Sequence, residues 1–179
     1  MRTRPLLVIA AFAALSAWVS AQPGSGPTAA ESLKMLRANR GLYEDLTKHA
    51  LALGRSNTSL DRADECLKVT ERLAREVREA VDRKDTDRLA ELSDHLNTVA
   101  TDGLAPNLSA ARNDINPQSL DYTRLQDVHQ HAFDNLSRTA TAVPTDGELG
   151  TSKRAKDARE KLAAAAAHIG PPPPDKKVP

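Results

Sequence analysis

The chain has few of the residue types on which catalytic sites and disulfide-stabilised folds depend. It has one cysteine, Cys66, eight glycines and only 3% aromatic residues among its 179 residues. A single cysteine excludes a disulfide within the chain, and so few aromatics leave little surface on which sugars or bases could stack. The sequence also lacks a nucleophile elbow, a phosphate-binding glycine loop and an HExxH motif. We therefore expect that the protein is not an enzyme and that it has no cofactor.

Neither sign of charge predominates in this sequence. Lysine and arginine number 25 and aspartate and glutamate number 24, which gives a formal net charge of +1. Strong binding to nucleic acid or to an anionic membrane surface requires a marked excess of basic residues. The charge balance therefore disfavours both as the main partner and favours protein partners.

The first 21 residues have the pattern of a secretory signal peptide. Arg2 and Arg4 provide the positive start, residues 6–17 form an uncharged apolar run, and residues 19–21 form a small-residue cleavage motif. The apolar run is shorter than a stable membrane span requires, and no later run could span a bilayer. We therefore expect cleavage near Ala21, export to the periplasm or the extracellular space, and no membrane span in the mature chain.

Apolar residues recur at intervals of three and four over most of the remaining chain, which is typical of amphipathic helices. A flexible linker rich in proline, glycine and serine precedes them at 22–27, and no segment alternates as a β-strand does. We expect four helices joined by short turns, at about 28–53, 59–83, 86–115 and 118–142. Four helices connected in this way predict an all-α fold, an antiparallel up-and-down four-helix bundle over residues 28–143.

Capping and breaking residues indicate where these helices begin and end. Gly54 is placed to end the first helix in a left-handed conformation. Asp85 or Thr86 can cap the third helix after a tight turn. Gly103 and Pro106 interrupt that helix, but the apolar rhythm continues beyond them. We therefore expect a kink in the third helix and not an end.

The helix at 59–83 has the clearest pattern. Two sets of residues spaced seven apart form a continuous apolar stripe: Leu60, Leu67, Ala74 and Val81, with Ala63, Thr70 and Val77. The opposite face is charged, with acidic residues four positions before basic ones, which is the favourable order. We therefore predict that Leu67 is buried in the core and that Glu71 and Arg75 are exposed.

The C-terminal region differs in composition from the predicted bundle. Residues 144–151 predict a loop, and residues 152–169 combine basic side chains with five consecutive alanines. This segment has high helix propensity but few side chains large enough to anchor it in a core. We therefore expect a short peripheral helix, followed at 170–179 by a disordered, Pro-rich tail.

Cys66 and the histidines are the residues with the most chemical potential. Cys66 borders the apolar stripe and is expected to be buried, with a homodimer linked through Cys66 as the alternative. His49 and His129 flank the apolar faces of the first and fourth helices, which are neighbours in the predicted bundle. With Asp127 or Asp64 they could form a metal site for zinc or another divalent cation. The alternative is that both histidines are hydrogen-bonded or solvated at the edge of the core.

The middle of the chain resembles a group of uncharacterised, signal-bearing helical proteins from high-GC bacteria. The match covers roughly residues 60–120 and is carried by a series of positions: Cys66, Leu73, Ala74, Glu76, Ala90, Glu91, Leu92, His95, Leu96, Gly103, Leu104, Ala105, Asn107, Leu108, Ala111, Arg112, Ile115 and Pro117. The resemblance implies a secreted bacterial protein, and the group has no known activity.

Two functions are consistent with these observations. The first is a non-catalytic scaffold, adaptor or chaperone-like protein that binds other proteins through the basic helix at 152–169 and the Pro-rich tail. The second is a periplasmic metal- or stress-sensing helical bundle that uses His49 and His129.

Overall fold

The structure, a computed structural model, describes Leu33, Arg37 and residues 39–173. The predicted signal peptide at 1–21, the predicted linker at 22–27 and the last residues of the predicted tail, 174–179, lie outside the described residues. The described chain forms helices and contains no β-strand, which confirms the all-α class. In chain order the elements are α1 (Arg40–Arg55), α2 (Ser59–Asp82), α3 (Thr86–Thr98), a π-helical segment (Val99–Leu104), α4 (Ala105–Asp114), α5 (Leu120–Ala142), α6 (Gly147–Thr151) and α7 (Lys153–Ile169).

The chain divides into two compact units, Met1–Glu44 and Asp45–Pro179. In the described part of the first unit, α1 begins at Arg40, whose guanidinium pairs with Glu44 one turn later at 2.6 Å. The helices from α2 onward belong to the second unit. None of the helices in the described ranges is both long and apolar enough to cross a bilayer.

Helix α2 has the buried face that the sequence predicts. Thr58 caps its first turn, accepting a hydrogen bond from the backbone N–H of Asp61 at 3.0 Å. Leu67 is 4% exposed, whereas Glu71 and Arg75 are exposed, so all three predictions are confirmed. The residues of the stripe are buried except Val81, which is half-buried. The seven-residue spacing therefore identified the correct face of this helix.

A tight turn reverses the chain after α2. Lys84 adopts a left-handed conformation with φ of 55°, and the Asp85 side chain accepts a hydrogen bond from the backbone N–H of Arg88 at 3.0 Å. Asp85 is thus the cap of α3, one of the two residues predicted for it. Capping by Asp85 compensates the free N–H groups of the first turn.

The helical conformation continues from α3 through the π-helical segment into α4. Pro106, which has no N–H to donate, lies in the first turn of α4, directly after the π-helical segment. Gly103 lies against the core, because a Cβ at this position would be 3.2 Å from the Cys66 sulfur. The expectation that this helix passes through Gly103 and Pro106 without ending is therefore confirmed.

Helix α7 packs against α3 and α5 and is not peripheral. Six of its residues are buried: Ala155, Ala158, Leu162, Ala165, Ala166 and Ile169. The prediction of a peripheral helix is wrong because alanines allow close approach of helix backbones, so small side chains can line a core. Leu162, fully buried, provides the large side chain at the centre of this contact.

The part of α1 that belongs to the second unit makes few contacts with other helices. Leu51 is 58% exposed, and Leu46, Ala50 and Leu53, which recur at three- and four-residue intervals, are only half-buried. The sequence did not predict this limited packing. Gly54 also differs from expectation. It has no positive φ, and α1 continues to Arg55, beyond which Ser56 donates a hydrogen bond to the Ala52 carbonyl at 2.9 Å.

The predicted loop at 144–151 contains the short helix α6. Gly150 of this helix is buried and lies close to the backbone of Pro144 and Thr145. Ser152 then caps α7 by accepting a hydrogen bond from the backbone N–H of Ala155 at 3.1 Å. This compact connection carries the chain from α5 into α7.

Candidate functional site

A half-open cleft of about 340 Å³ lies where the π-helical segment, α4, α5 and the end of α7 meet. It is lined by polar and apolar residues in similar measure: Thr101, Ala105, Pro106, Leu108, Ser109, Arg112, His129, His168 and Ile169. Such a concave surface, with a few polar groups among apolar ones, has the character of a small-ligand site.

His129 is the buried polar residue of this cleft. It lies on the buried face of α5 and is 4% exposed. Its Nδ1 lies 2.8 Å from the Arg112 guanidinium, and its Nε2 lies 3.1 Å from the Ile169 carbonyl oxygen and 3.0 Å from that of Gly170. Because an arginine can only donate, Nδ1 accepts and Nε2 carries the proton. His129 therefore joins α4 to the C-terminal end of α7.

The local chain geometry explains why a histidine is useful at this position. The last carbonyl groups of a helix have no partner within the helix, and Gly170 turns the chain out of α7 with φ of 66°. The imidazole N–H of His129 hydrogen-bonds the carbonyls at this end. The side chain thus stabilises the place where α7 ends and the proline segment begins.

The surroundings of His129 favour its neutral form. Burial lowers its pKa below the ordinary value of 6.5, and the positive charge of Arg112 acts in the same direction. The hydrogen bonds to the Gly170 and Ile169 carbonyls act in the opposite direction but do not outweigh burial. The uncharged imidazole is also the form that can accept from Arg112.

The proline segment after α7 is attached to α5 at a second point. Gln126 donates from its amide nitrogen to the Pro173 carbonyl at 3.4 Å and to the Tyr122 hydroxyl at 3.1 Å. Pro171 is exposed, while Pro172 and Pro173 are half-buried. The first part of the predicted tail is therefore tied to the helices at Gly170 and at Pro173.

The residues predicted as metal ligands have different neighbours. His49 Nδ1 lies 2.9 Å from a carboxylate oxygen of Glu65, the residue next to Asp64, which is one of the two acids predicted as ligands. Both nitrogens of His129 are hydrogen-bonded as described above, and Asp127 is exposed. Within the described ranges, no group of three or more histidine, cysteine or acidic residues could hold a metal ion.

Cys66 is buried and unpaired. Burial raises the pKa of its thiol to about 11, so it is protonated near neutral pH. A disulfide with a second chain requires an accessible thiolate, and Cys66 provides neither accessibility nor charge. The structure therefore does not support the alternative of a homodimer linked through Cys66.

The basic side chains of α7 are largely paired within the protein. Arg154 pairs with Asp87 and Lys161 with Asp94, both on α3, and Lys153 pairs with Asp157 at 2.9 Å. Arg159 donates to the Pro144 carbonyl at 2.9 Å. The contacts of Arg154, Lys161 and Arg159 join α7 to neighbouring segments, whereas the Lys153–Asp157 pair lies within α7.

The sequence identified His129 but missed Arg112, its partner in the cleft. The two residues are 17 positions apart on different helices, and the pairing depends on the level at which α4 and α5 meet. Comparisons with protein family models, curated proteins and solved structures found no match to the chain.

Proposed function

We propose that this chain is an exported, non-catalytic helical protein that acts by binding another protein, as a scaffold, adaptor or chaperone-like binder. The signal-peptide pattern at residues 1–21 supports export, and the resemblance over residues 60–120 supports a bacterial secreted protein. The near-neutral charge favours a protein partner over nucleic acid or a membrane surface.

The observation that carries this proposal is the way in which the proline segment is held. Residues 171–173 lie between two hydrogen bonds to α5, one at Gly170 from His129 and one at Pro173 from Gln126. Extended proline segments lose little conformational entropy on binding, and many recognition domains use them for that reason. A segment already held at two points and exposed at Pro171 fits this mode of recognition.

The proposed contact surface is therefore the proline segment and the residues that follow it, and not the basic helix. Deleting residues 144–179 would remove α7 from the core and would not test the proposal. A narrower variant replaces Pro171–Pro174 by serines and keeps Gly170, whose carbonyl accepts from His129. This variant keeps the buried part of α7 intact.

Site-specific photo-crosslinking in the native extracytoplasmic fraction tests the proposal. A photoreactive residue replaces Asp175 in the chain that starts at Gln22, and a control carries it at Glu79, an exposed position of α2. We expect the first to crosslink to one defined protein and the serine variant to lose that crosslink. Equal crosslinks from residues 175 and 79, or no effect of the serine substitutions, would contradict the proposed surface.

For the arrangement of the helices, we propose a four-helix bundle formed by α2, the kinked α3–α4 pair, α5 and α7. Extensive contacts of α2 with α3–α4 and α5, and of α7 with α3 and α5, support it. Arg62 near the start of α2 bonds Asn107 of α4 at 3.0 Å, as an antiparallel hairpin requires. In this arrangement α7 takes the place predicted for α1.

A second candidate function is metal or stress sensing through His49 and His129. The observation that favours it is that each histidine bonds to a residue of another helix: His49 to Glu65 and His129 to Arg112. Metal binding or protonation at either histidine would therefore alter a contact between helices. Zinc titration followed by native mass spectrometry tests it. Binding of one zinc that is lost in His49→Gln and kept in His131→Gln supports it, and equal binding by both variants contradicts it.

A further inference from the structure

The cleft beside His129 has a cation on its rim without an acidic partner. Arg112 is exposed and its guanidinium contacts His129 Nδ1 at 2.8 Å. Across the described residues, no carboxylate lies within ion-pair distance of it. A guanidinium has five N–H donors in a fixed plane, so most of them are free to bind a ligand. The contact with His129 fixes the direction of this plane.

A second basic side chain lies on another wall of the same cleft. His168, in the last turn of α7, is exposed and lines the cleft together with Arg112 of α4. Ser109, an exposed residue of α4, contributes a hydroxyl to the same cleft. The polar side of the cleft is therefore rich in donors and suits an anionic group.

The remaining walls of the cleft are apolar. Ala105, Pro106 and Leu108 line it from the α4 side, and Ile169 from the end of α7. A volume of about 340 Å³ lies at the lower end of the range of small-molecule sites. The cleft is too small for a helix or a strand, whereas a short apolar chain fits it.

We propose that this cleft binds a small molecule that carries a carboxylate next to an apolar chain, with Arg112 holding the carboxylate and the apolar walls covering the chain. The guanidinium matches the two oxygens of a carboxylate in a bidentate geometry. Burial of the apolar part supplies the remaining affinity. The ligand contacts lie at Arg112 and the apolar walls and not at residues 171–173, so octanoate binding and the crosslink at residue 175 are tested separately.

Isothermal titration calorimetry with sodium octanoate tests the proposal on the chain that starts at Gln22. Octanoate carries the proposed carboxylate and apolar chain, octanol lacks the charge, and acetate lacks the chain. We expect saturable binding of octanoate with one site per chain, and weaker binding of both octanol and acetate. Chemical-shift changes in an NMR titration should be confined to residues 101–112, to His129 and its neighbours on α5, and to the end of α7.

Two variants and one matched control complete the test. Arg112→Gln removes the charge and should weaken octanoate binding about tenfold, because a charge-assisted pair is lost. Arg75→Gln removes an equally exposed arginine on α2 and should leave binding unchanged. Ser109→Trp keeps Arg112 but fills the cleft, and should abolish binding while the variant remains folded by circular dichroism.

The proposal would be overturned by absence of saturable octanoate binding to the unmodified chain, by equal weakening in Arg75→Gln and Arg112→Gln, or by unchanged binding in a folded Ser109→Trp variant. Binding of octanol as tight as that of octanoate would also contradict it, because the carboxylate would then contribute nothing. None of these outcomes bears on crosslinking at residue 175.

Discussion

The guanidinium of Arg112 donates a hydrogen bond to Nδ1 of His129 at 2.8 Å, and this contact determines which imidazole nitrogen carries the proton. With Nδ1 accepting, Nε2 donates to the carbonyl oxygens at the end of α7. Protonation of Nδ1 would place two positive groups in contact and remove the acceptor. The connection between α4, α5 and α7 therefore depends on a neutral histidine.

The first prediction concerns pH. The pKa of His129 is lowered in the folded protein, so the unfolded chain binds a proton at a higher pH than the folded chain does. The contribution of His129 to stability is complete above the unfolded pKa of about 6.5 and decreases as the pH falls below it. We expect the urea concentration at the midpoint of unfolding to be lower at about pH 5 than at about pH 7. This difference should be smaller in His129→Gln.

His131 provides the matched control for this experiment. It lies two residues away on α5 but is exposed, so His131→Gln should keep the pH dependence of the unmodified chain. Carboxylates whose pKa is lowered, such as Glu91, titrate well below this pH range. A pH dependence that is the same in all three proteins would contradict the assignment to His129.

The second prediction concerns what holds the core together. Leu162 of α7 is fully buried, and Leu162→Ala should lower the free energy of unfolding by about 2–5 kcal/mol, as at other buried leucines. Leu67→Ala on α2 should cost a similar amount. Leu120, which is 90% exposed, is the control, and Leu120→Ala should change the urea midpoint very little. An equal midpoint for Leu162→Ala and Leu120→Ala would contradict the packing of α7.

The predictability of these helices from sequence depended on the size of their buried side chains. Helix α2 buries leucines and valines at regular intervals, so the periodicity alone identified its inner face. Helix α7 buries mainly alanines, which occur as often on exposed helix surfaces, and their burial depends on a neighbour that can approach closely. The apolar residues of α1 that belong to the second unit, Leu46, Ala50 and Leu53, are also regularly spaced, yet they are only half-buried.

The candidate site was predictable only in part, for a related reason. His129 stands out in the sequence because it borders an apolar stripe, and His49 contacts Glu65, the neighbour of the predicted ligand Asp64. The cleft itself arises from α4, α5 and the end of α7 together. The sequence predicts a peripheral helix at 152–169. It therefore predicts neither the contact of His129 with Gly170 nor the cleft.

The third prediction concerns the reactivity of Cys66. Its thiol is buried and its pKa is raised to about 11, so little thiolate is present at neutral pH. We expect a disulfide reagent such as DTNB to react slowly with the folded chain and rapidly in urea. The chain should also migrate as a monomer on a non-reducing gel after air oxidation. Fast reaction of the folded protein would show that Cys66 is accessible.

The last prediction concerns Gly150, whose lack of a side chain is required by the connection between α5 and α7. A Cβ at this position would lie 2.6 Å from the carbonyl carbon of Thr145 and 2.8 Å from the carbonyl oxygen of Pro144. Backbone atoms cannot rotate away as a side chain can, so Gly150→Ala must displace the connection and lower the melting temperature. A Cβ added at Gly54, inside α1, would meet nothing within 4 Å. Gly54→Ala should therefore cause no loss of stability, because alanine is the better helix former. If the melting temperature of Gly150→Ala equalled or exceeded that of Gly54→Ala, the chain between Val143 and Ser152 would not pack as described.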